Sequence, residues 1–374
     1  MDETTATAVA ETLTTATAVA ETLTTVTETL TTLSLHELPA LPFEVVIEIL
    51  CRLPVKLLLQ LRCLCKSFNT LISDPKFIRK HLRMSTAYHR HRLLLYSLID
   101  SHAPSYPLHS TFITVTDNAI RHQYPVSLED QWFYCFGSCD GMFCFEVHRS
   151  VFLWNPSILK FKRLPSLDLG AYGFGYDTSI DNYKVVCVLH NMGNTTKIMV
   201  HTLGTDSWRM IPGEFPVPVS GCGSLKLASG TLNWFASNDH SIVSFDLVNE
   251  SYRKFSAPNY GGEAVYRVIL DVFRDCLCIV AHSHTFSSVW MMKEYGNEES
   301  WTRLFRVPRS EESIYDTHIE PIWIFEDDQV LMKKDTELAL CDFKNGAFNI
   351  QMIQNINNYA IPQVYIESLV SPCT

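Results

Sequence analysis

The chain has 374 residues, 47% of them hydrophobic and 19% charged, with a formal net charge of -10. That length admits one large domain or two smaller ones, and the hydrophobic share excludes a wholly disordered polypeptide. The acidic balance argues against general nucleic-acid binding, and no apolar run reaches the roughly 20 residues of a membrane-spanning helix.

Residues 5–14, TATAVAETLT, recur letter for letter at 15–24, and a degenerate third copy follows from Thr25. This Thr/Ala-rich, aromatic-free tract over 1–36 has little to bury against its ordering entropy, so it reads as a disordered tail. It is either a docking or phosphorylation tail or a tandem duplication without a role. The basic start and continuous apolar core of a secretory signal are missing.

From Leu41 to Leu82 the apolar residues take helical spacing: Val45, Val46, Ile49, Leu50 and Leu53, then Leu57, Leu58, Leu61, Leu64, Cys65, Phe68, Leu71 and Ile72. Start signals divide the stretch into three helices. Pro42 suits a first turn with Glu44 and Glu48 close behind, Pro54 restarts the chain, and Asp74 caps a third helix with Pro75 in its first position. About forty residues cannot bury this much apolar surface among themselves, which implies a partner. Arg52, Lys56, Arg62, Lys66, Lys76, Arg79, Lys80, Arg83, Arg90 and Arg92 crowd the same region, opposed by Asp74 alone. Such a patch suits an acidic protein partner.

LP at Leu41, IL at Ile49, LPVK from Leu53, CLCKSF from Cys63 and SDPKF from Ser73 together resemble the F-box of plant F-box proteins. Phe68 stands where that family usually carries tryptophan, and Leu57 and Gln60 replace a small polar and a basic residue.

Past His91 short apolar runs broken by turn residues read as strands. Five hairpins align: VFLWNPSILKFKRLP from Val151, IMVHTLGTDSWRMIP from Ile198, IVSFDLVNESYRKFSAP from Ile242, VWMMKEYGNEESWTRLFRVP from Val289 and LALCDFKNGAFNIQMI from Leu338. Each enters its second strand through an aromatic residue (Phe161, Trp208, Tyr252, Trp301, Phe348), spaced 44 to 49 positions apart by subtraction. A second hairpin precedes each, turning at Cys139–Gly141, Thr178–Asn182, Ser229–Gly230, Arg274–Asp275 and Glu326–Asp328. Two hairpins per period make a four-stranded propeller blade, with the aromatics as wedges between blades. RLLLYSLI from Arg92 and TFITV from Thr111 begin a sixth blade that QVYIESLV from Gln363 closes, so six blades are expected, with seven as the alternative.

GSCDGMFCF, FLWNPS, GFGYDTSIDNYKVV, HTLGTDSWR, GTLNWFA, IVSFDL, WMMKEYG and YIESLVSP, in this order, resemble the F-box-associated domain of the same proteins, often described as F-box/kelch-repeat. The double glycine of kelch repeats is not evident, so the repeats support a propeller better than a kelch assignment.

No catalytic constellation stands out. Glu326, Asp327 and Asp328 occupy an expected turn, where solvated acids are ordinary. Gly173 and Gly175 form GxG without the third glycine or helix of a dinucleotide fold. His89 with His91, assigned to a solvated linker, and His282 with His284, at a strand end, lack a third metal ligand. Nothing pairs a histidine with Ser138 and Asp140. The 12 cysteines contain no CxxC pair, sit mostly in apolar runs, and suit a reducing compartment. Cys276 and Cys278 read as core residues on one face of a strand.

The two resemblances imply a small all-α F-box of three helices over 37–84 and an all-β propeller over 92–374. They imply a non-catalytic substrate receptor of an SCF-type ubiquitin ligase, without cofactor or metal, in the cytoplasm or nucleus. The F-box would dock a Skp-type adaptor, and through it a cullin scaffold, with Leu41, Pro42, Ile49, Leu50, Leu53, Pro54, Leu58, Leu59, Leu64 and Phe68 as the candidate interface. The propeller would bind a target protein through loops such as SHAPSYPLHS from Ser101, PGEFPVPVSG from Pro212 and APNYGGEA from Ala257. Neither nucleic acid nor membrane is an expected partner. The alternatives are a propeller interaction protein outside any ligase, and a propeller hydrolase or lectin.

Overall fold

A computed structural model describes residues 42–97, 102–108, 119–125, 133–167, 170–190, 196–213, 224–236, 240–308, 319–325, 329–334, 337–342, 349–352 and 360–373. Leu41 and the repeat tail lie outside these. The chain divides into two compact units, Met1–Ile49 and Leu50–Thr374.

Helix α1 (Phe43–Cys51), whose last two residues belong to the second unit, starts on Pro42, whose carbonyl accepts from Val45 N at 2.9 Å and Val46 N at 3.2 Å. Proline fits there because its missing N–H would have no helical partner. The second unit then holds α2 (Val55–Leu64), α3 (Lys66–Ser73) and α4 (Pro75–Ala87). The described chain thus has four helices where the spacing predicts three. The continuous run expected from Leu57 to Ile72 breaks at Cys65, whose backbone is extended (φ -154°, ψ 161°) and whose Sγ accepts from Phe68 N at 3.5 Å. A cysteine replaces the usual Ser or Asp cap, which hides the break from a reading by residue type. Asp74 caps α4 as expected, accepting from Lys76 N at 2.7 Å and Phe77 N at 3.3 Å, with Pro75 behind it.

Six four-stranded antiparallel sheets follow, the blades of a propeller. Blade one holds β1 (His91–Tyr96), β2 (His102–Pro107) and β3 (Ile120–Gln123). Blade two is β4 (Phe133–Cys139), β5 (Met142–Val147), β6 (Ser150–Asn155) and β7 (Lys160–Arg163). Blade three is β8 (Ala171–Asp177), β9 (Asn182–His190), β10 (Thr196–Thr202) and β11 (Arg209–Met210). Blade four is β12 (Lys226–Ala228), β13 (Thr231–Ala236), β14 (Ser241–Asp246) and β15 (Tyr252–Ser256). Blade five is β16 (Val265–Phe273), β17 (Cys276–Ser283), β18 (Phe286–Met292) and β19 (Trp301–Pro308). Blade six is β20 (Ile319–Ile324), β21 (Gln329–Lys334), β22 (Glu337–Asp342) and β23 (Asn349–Met352).

The ring closes through β24 (Ile361–Ile366), which pairs with β1 from His91↔Ile366 to Tyr96↔Ile361 and forms the inner strand of blade one. TFITV lies outside the described residues. SHAPSYPLHS, expected as a loop, contains β2. Pro104 and Pro107 mark it as a turn by residue type, yet Ala103 and Ser105 are buried in strand alternation.

The apolar core lies between neighbouring blades: one cluster joins Phe136, Met142 and Leu153 of blade two to Tyr172, Val185 and Cys187 of blade three. The wedge expectation holds for the tryptophans. Trp208 Nε1 donates to Pro165 O at 2.9 Å and Trp301 Nε1 to Ser256 O at 3.1 Å, each reaching back to the preceding blade. Phe161 and Tyr252, by contrast, are exposed, and Phe348 lies outside the described residues. Between blades three and four, buried Lys184 meets Asp177 at 2.6 Å and Glu250 at 2.8 Å and donates to Leu247 O at 2.7 Å. Burial opposes charge on Lys184, but its two carboxylate partners hold its pKa above the ordinary value.

Candidate functional site

The helices of the second unit present both a core and a surface. Leu50, Leu53 and Leu58 are buried, with Val55, Leu61, Ile72 and Phe77. His81, also buried, donates from Nε2 to Leu53 O at 3.0 Å, where Arg90 Nη1 donates too, at 3.0 Å. Burial, helped by the Arg90 charge and opposed by the Leu53 bond, lowers the His81 pKa, so the ring is held neutral. Arg90 also donates to Arg52 O, and its own carbonyl accepts from Glu367 N at 3.4 Å. The α1–α2 connection is thus pinned to the first residues of the ring. Arg79 of α4 pairs with Asp181 at 2.6 Å and lies 5.0 Å from the Tyr176 ring centroid, both in blade three.

The ten candidate interface residues therefore separate. Leu50, Leu53 and Leu58 stabilise the helices from inside and are not displayed to a partner. Pro54 and Leu64 are exposed (Leu64 at 58%), and Leu59 and Phe68 are half-buried. In the first unit Pro42 and Ile49 are exposed, and Leu41 is outside the described residues. Sequence reading missed Phe43, exposed at 60%, and did not single out Val45, exposed at 40%. Apolar residues at the solvent-facing positions of α1 were the available signal, since an amphipathic helix should be polar there.

The catalytic candidates resolve into structural roles. Glu326–Asp328 lie outside the described residues. Gly173 is packed so closely that a Cβ would sit 2.7 Å from Leu225 Cβ, so blade packing accounts for it. His91 is the half-buried first residue of β1, its ring 4.6 Å from that of Trp323, rather than part of a solvated linker. His89 is exposed in the preceding turn. His282 is buried with Nδ1 2.9 Å from Ser287 Oγ, and His284 is exposed. Ser138 Oγ donates to Val364 O at 3.1 Å. Cys278 is buried as expected and Cys276 partly so, whereas Cys63 and Cys65 are exposed. Among the described residues no group of three His, Cys, Asp or Glu side chains could hold a metal, and no helix is long and apolar enough to cross a membrane.

Comparison with known proteins bears on both parts of the chain. The F-box domain profile matches residues 38–80, and the F-box associated beta propeller domain profile matches residues 84–372. An F-box/kelch-repeat protein of Arabidopsis thaliana is 32% identical over 358 residues, covering 89% of this chain and 96% of the relative. The F-box protein CPR1 of the same plant is 27% identical over 379 residues, covering 89% of each. Among solved structures, a chain from a nidogen/laminin complex aligns over 74% of this chain and 98% of its own length, at 11% identity and a TM-score of 0.46. Helices with an F-box match, a six-bladed ring and relatives aligned along nearly their whole lengths converge on one assignment: the chain belongs to the plant F-box proteins that carry an F-box associated beta propeller domain.

Proposed function

We propose that this chain is the substrate-receptor subunit of an SCF-type ubiquitin ligase. The observation that carries the reading is the exposed apolar surface of the F-box helices, Leu64 above all, joined to a ring that closes on itself. Pro54, Leu59, Leu64 and Phe68 are the candidates for contact with a Skp-type adaptor on the second unit, and Pro42, Phe43, Val45 and Ile49 on the first. Leu50, Leu53 and Leu58 serve that contact only by holding the helices in shape. Through the adaptor the chain joins a cullin scaffold, and the propeller recruits the target protein. The receptor is non-catalytic. It holds a target lysine near the charged ubiquitin carrier and so raises its effective concentration. The free thiols of the described cysteines suit a reducing site of action, the cytoplasm or nucleus.

Co-purification with a Skp-type adaptor tests the reading, comparing wild type with Leu64→Asp. Capture that Leu64→Asp abolishes while its melting temperature stays at the wild-type value supports docking through this surface. A folded wild type that captures no adaptor overturns the ligase reading and leaves an interaction protein outside any ligase.

A further inference from the structure

Three arginines lying over aromatic rings gather on one seam, between blades four and five. Arg306 Cζ lies 3.5 Å from the Phe286 centroid, Arg303 Cζ 5.7 Å from that of Trp290, and Arg253 Cζ 4.9 Å from that of Tyr295. Phe286 and Trp290 are alternate positions on β18 and face one side, and Arg303 is the cross-strand partner of Trp290 on β19. Arg253 belongs to β15 of blade four. Tyr295, in the β18–β19 connection, reaches back to that blade, donating to Asn233 Oδ1 at 2.7 Å and lying 2.6 Å from Ser244 Oγ.

Arg306 is paired with Glu263 at 2.8 Å. Arg253 and Arg303 are exposed. Neither joins a direct ion pair among the described residues, although, where burial raises the pKa of Asp246 on the same blade, the Arg253 charge helps to lower it. A guanidinium held over a ring is partly ordered already and loses less freedom when its N–H groups meet a carboxylate. Beneath the stripe three buried polar atoms have no hydrogen-bond partner among the described residues: Tyr260 Oη, Trp290 Nε1 and Arg306 Nε. Each can donate, and an unmet buried donor is costly unless something supplies an acceptor. Tyr260 sits edge-on over Trp290 at 6.3 Å, carried by the Ala257–Ala264 segment.

We propose that this seam docks an acidic segment of the target protein, with carboxylates received by Arg253 and Arg303. That the segment belongs to a target rests on the receptor reading; the chemistry of the seam does not. Nucleic acid fits less well. Glu263 occupies Arg306, and Glu298 sits beside the stripe accepting from Ser256 N at 2.9 Å. Carboxylates on a flexible peptide settle on the cations between these acids, whereas the fixed spacing of a phosphate backbone presses charge against Glu263 and Glu298.

The test measures binding of fluorescein-labelled oligo-glutamate, oligo-lysine and oligothymidylate of equal length to the full chain by anisotropy. Wild type should bind oligo-glutamate and not oligo-lysine, and the Arg253→Gln, Arg303→Gln double variant should lose roughly tenfold or more in affinity. A control removing two charges elsewhere, Lys160→Gln with Lys197→Gln, should bind as wild type does. Should the double variant melt early, the single Arg303→Gln change on the exposed strand carries the same comparison. No binding of oligo-glutamate, equal loss in the control, or tighter binding of oligothymidylate overturns the proposal. Oligo-glutamate binding without adaptor capture removes the ligase reading alone, and adaptor capture without oligo-glutamate binding removes the seam alone.

Discussion

The side-chain amide of Asn155 donates to Ser368 at both its carbonyl and its hydroxyl oxygen, at 3.1 Å each, and to Val370 O at 2.8 Å. Two family motifs 213 positions apart, FLWNPS and YIESLVSP, are therefore the two halves of one fastening. Ser368 Oγ completes it by donating to Asp140 O at 2.6 Å. Asn155→Ala should cost about 1–3 kcal/mol, since buried acceptors lose their donor. Thermal unfolding of the variant should show a lower midpoint, and an unchanged midpoint would remove the fastening from any account of closure.

Leu58 and Leu64 lie on one helix with opposite environments, 0% and 58% exposed. Leu58→Ala should lower stability by about 2–5 kcal/mol, the range for truncating a buried leucine. Leu64→Ala should change it by less than about 0.5 kcal/mol, as surface substitutions usually do. Urea midpoints of the two variants check the partition, and similar losses in both contradict it.

His122 gives the fold a pH dependence. Its Nδ1–H donates to Pro156 O at 3.0 Å, and Nε2 accepts from Ser105 Oγ at 2.8 Å, an arrangement that needs the neutral ring. Burial, with the nearby Arg92 charge adding and the Pro156 bond opposing, lowers its pKa to about 4. The unfolded ring titrates near about 6.5, so the stabilisation is fully present above that pH. It fades as the unfolded chain takes up protons, over about pH 6.5 to pH 4, a loss of about 3 kcal/mol. His91, also lowered to about 4, first by burial and then by the neighbouring His89, acts in the same direction. Urea midpoints at about pH 7.5 and pH 5 should differ for wild type and differ less for His122→Gln.

Gly173 tests whether the GxG pair is packing or chemistry. Its ideal Cβ would meet Leu225 Cβ at 2.7 Å and both Leu232 methyls at 2.9 Å, atoms of the neighbouring blade with little room to yield. Gly173→Ala should destabilise by about 1–3 kcal/mol through overpacking, while leaving adaptor capture intact in the folded fraction. Wild-type stability in this variant counts against close blade contact there.

Period and turn chemistry made the ring legible. Asp140-Gly141 and Ser229-Gly230 mark their hairpins because both residues take positive φ, the requirement that selects such pairs. Arg274-Asp275 does the same without glycine (φ 51° and 61°), and there the alignment of repeats carried the reading. What stayed hidden follows from residue type standing in poorly for context. Cys65 caps a helix, Pro104 sits within a strand, and Leu53 looks like an interface residue until its burial is known. Tyr252 and Trp301 hold equivalent places in the repeat, yet Tyr252 is exposed, whereas the Trp301 indole N–H reaches the preceding blade. The arginine seam left no linear motif, because Arg253 and Tyr295 meet only when one blade's connection crosses to the next.

Because β1 takes its inner neighbour from Ile361–Ile366, the earliest strand of the ring leaves the ribosome long before its mate has been translated. For that interval β1 offers a bare backbone edge carrying Leu93, Leu94 and Leu95, a hazard of the kind that recruits nascent-chain chaperones. Supply of the folded protein would then be governed by how often this late rendezvous succeeds, as well as by how stable the finished ring is.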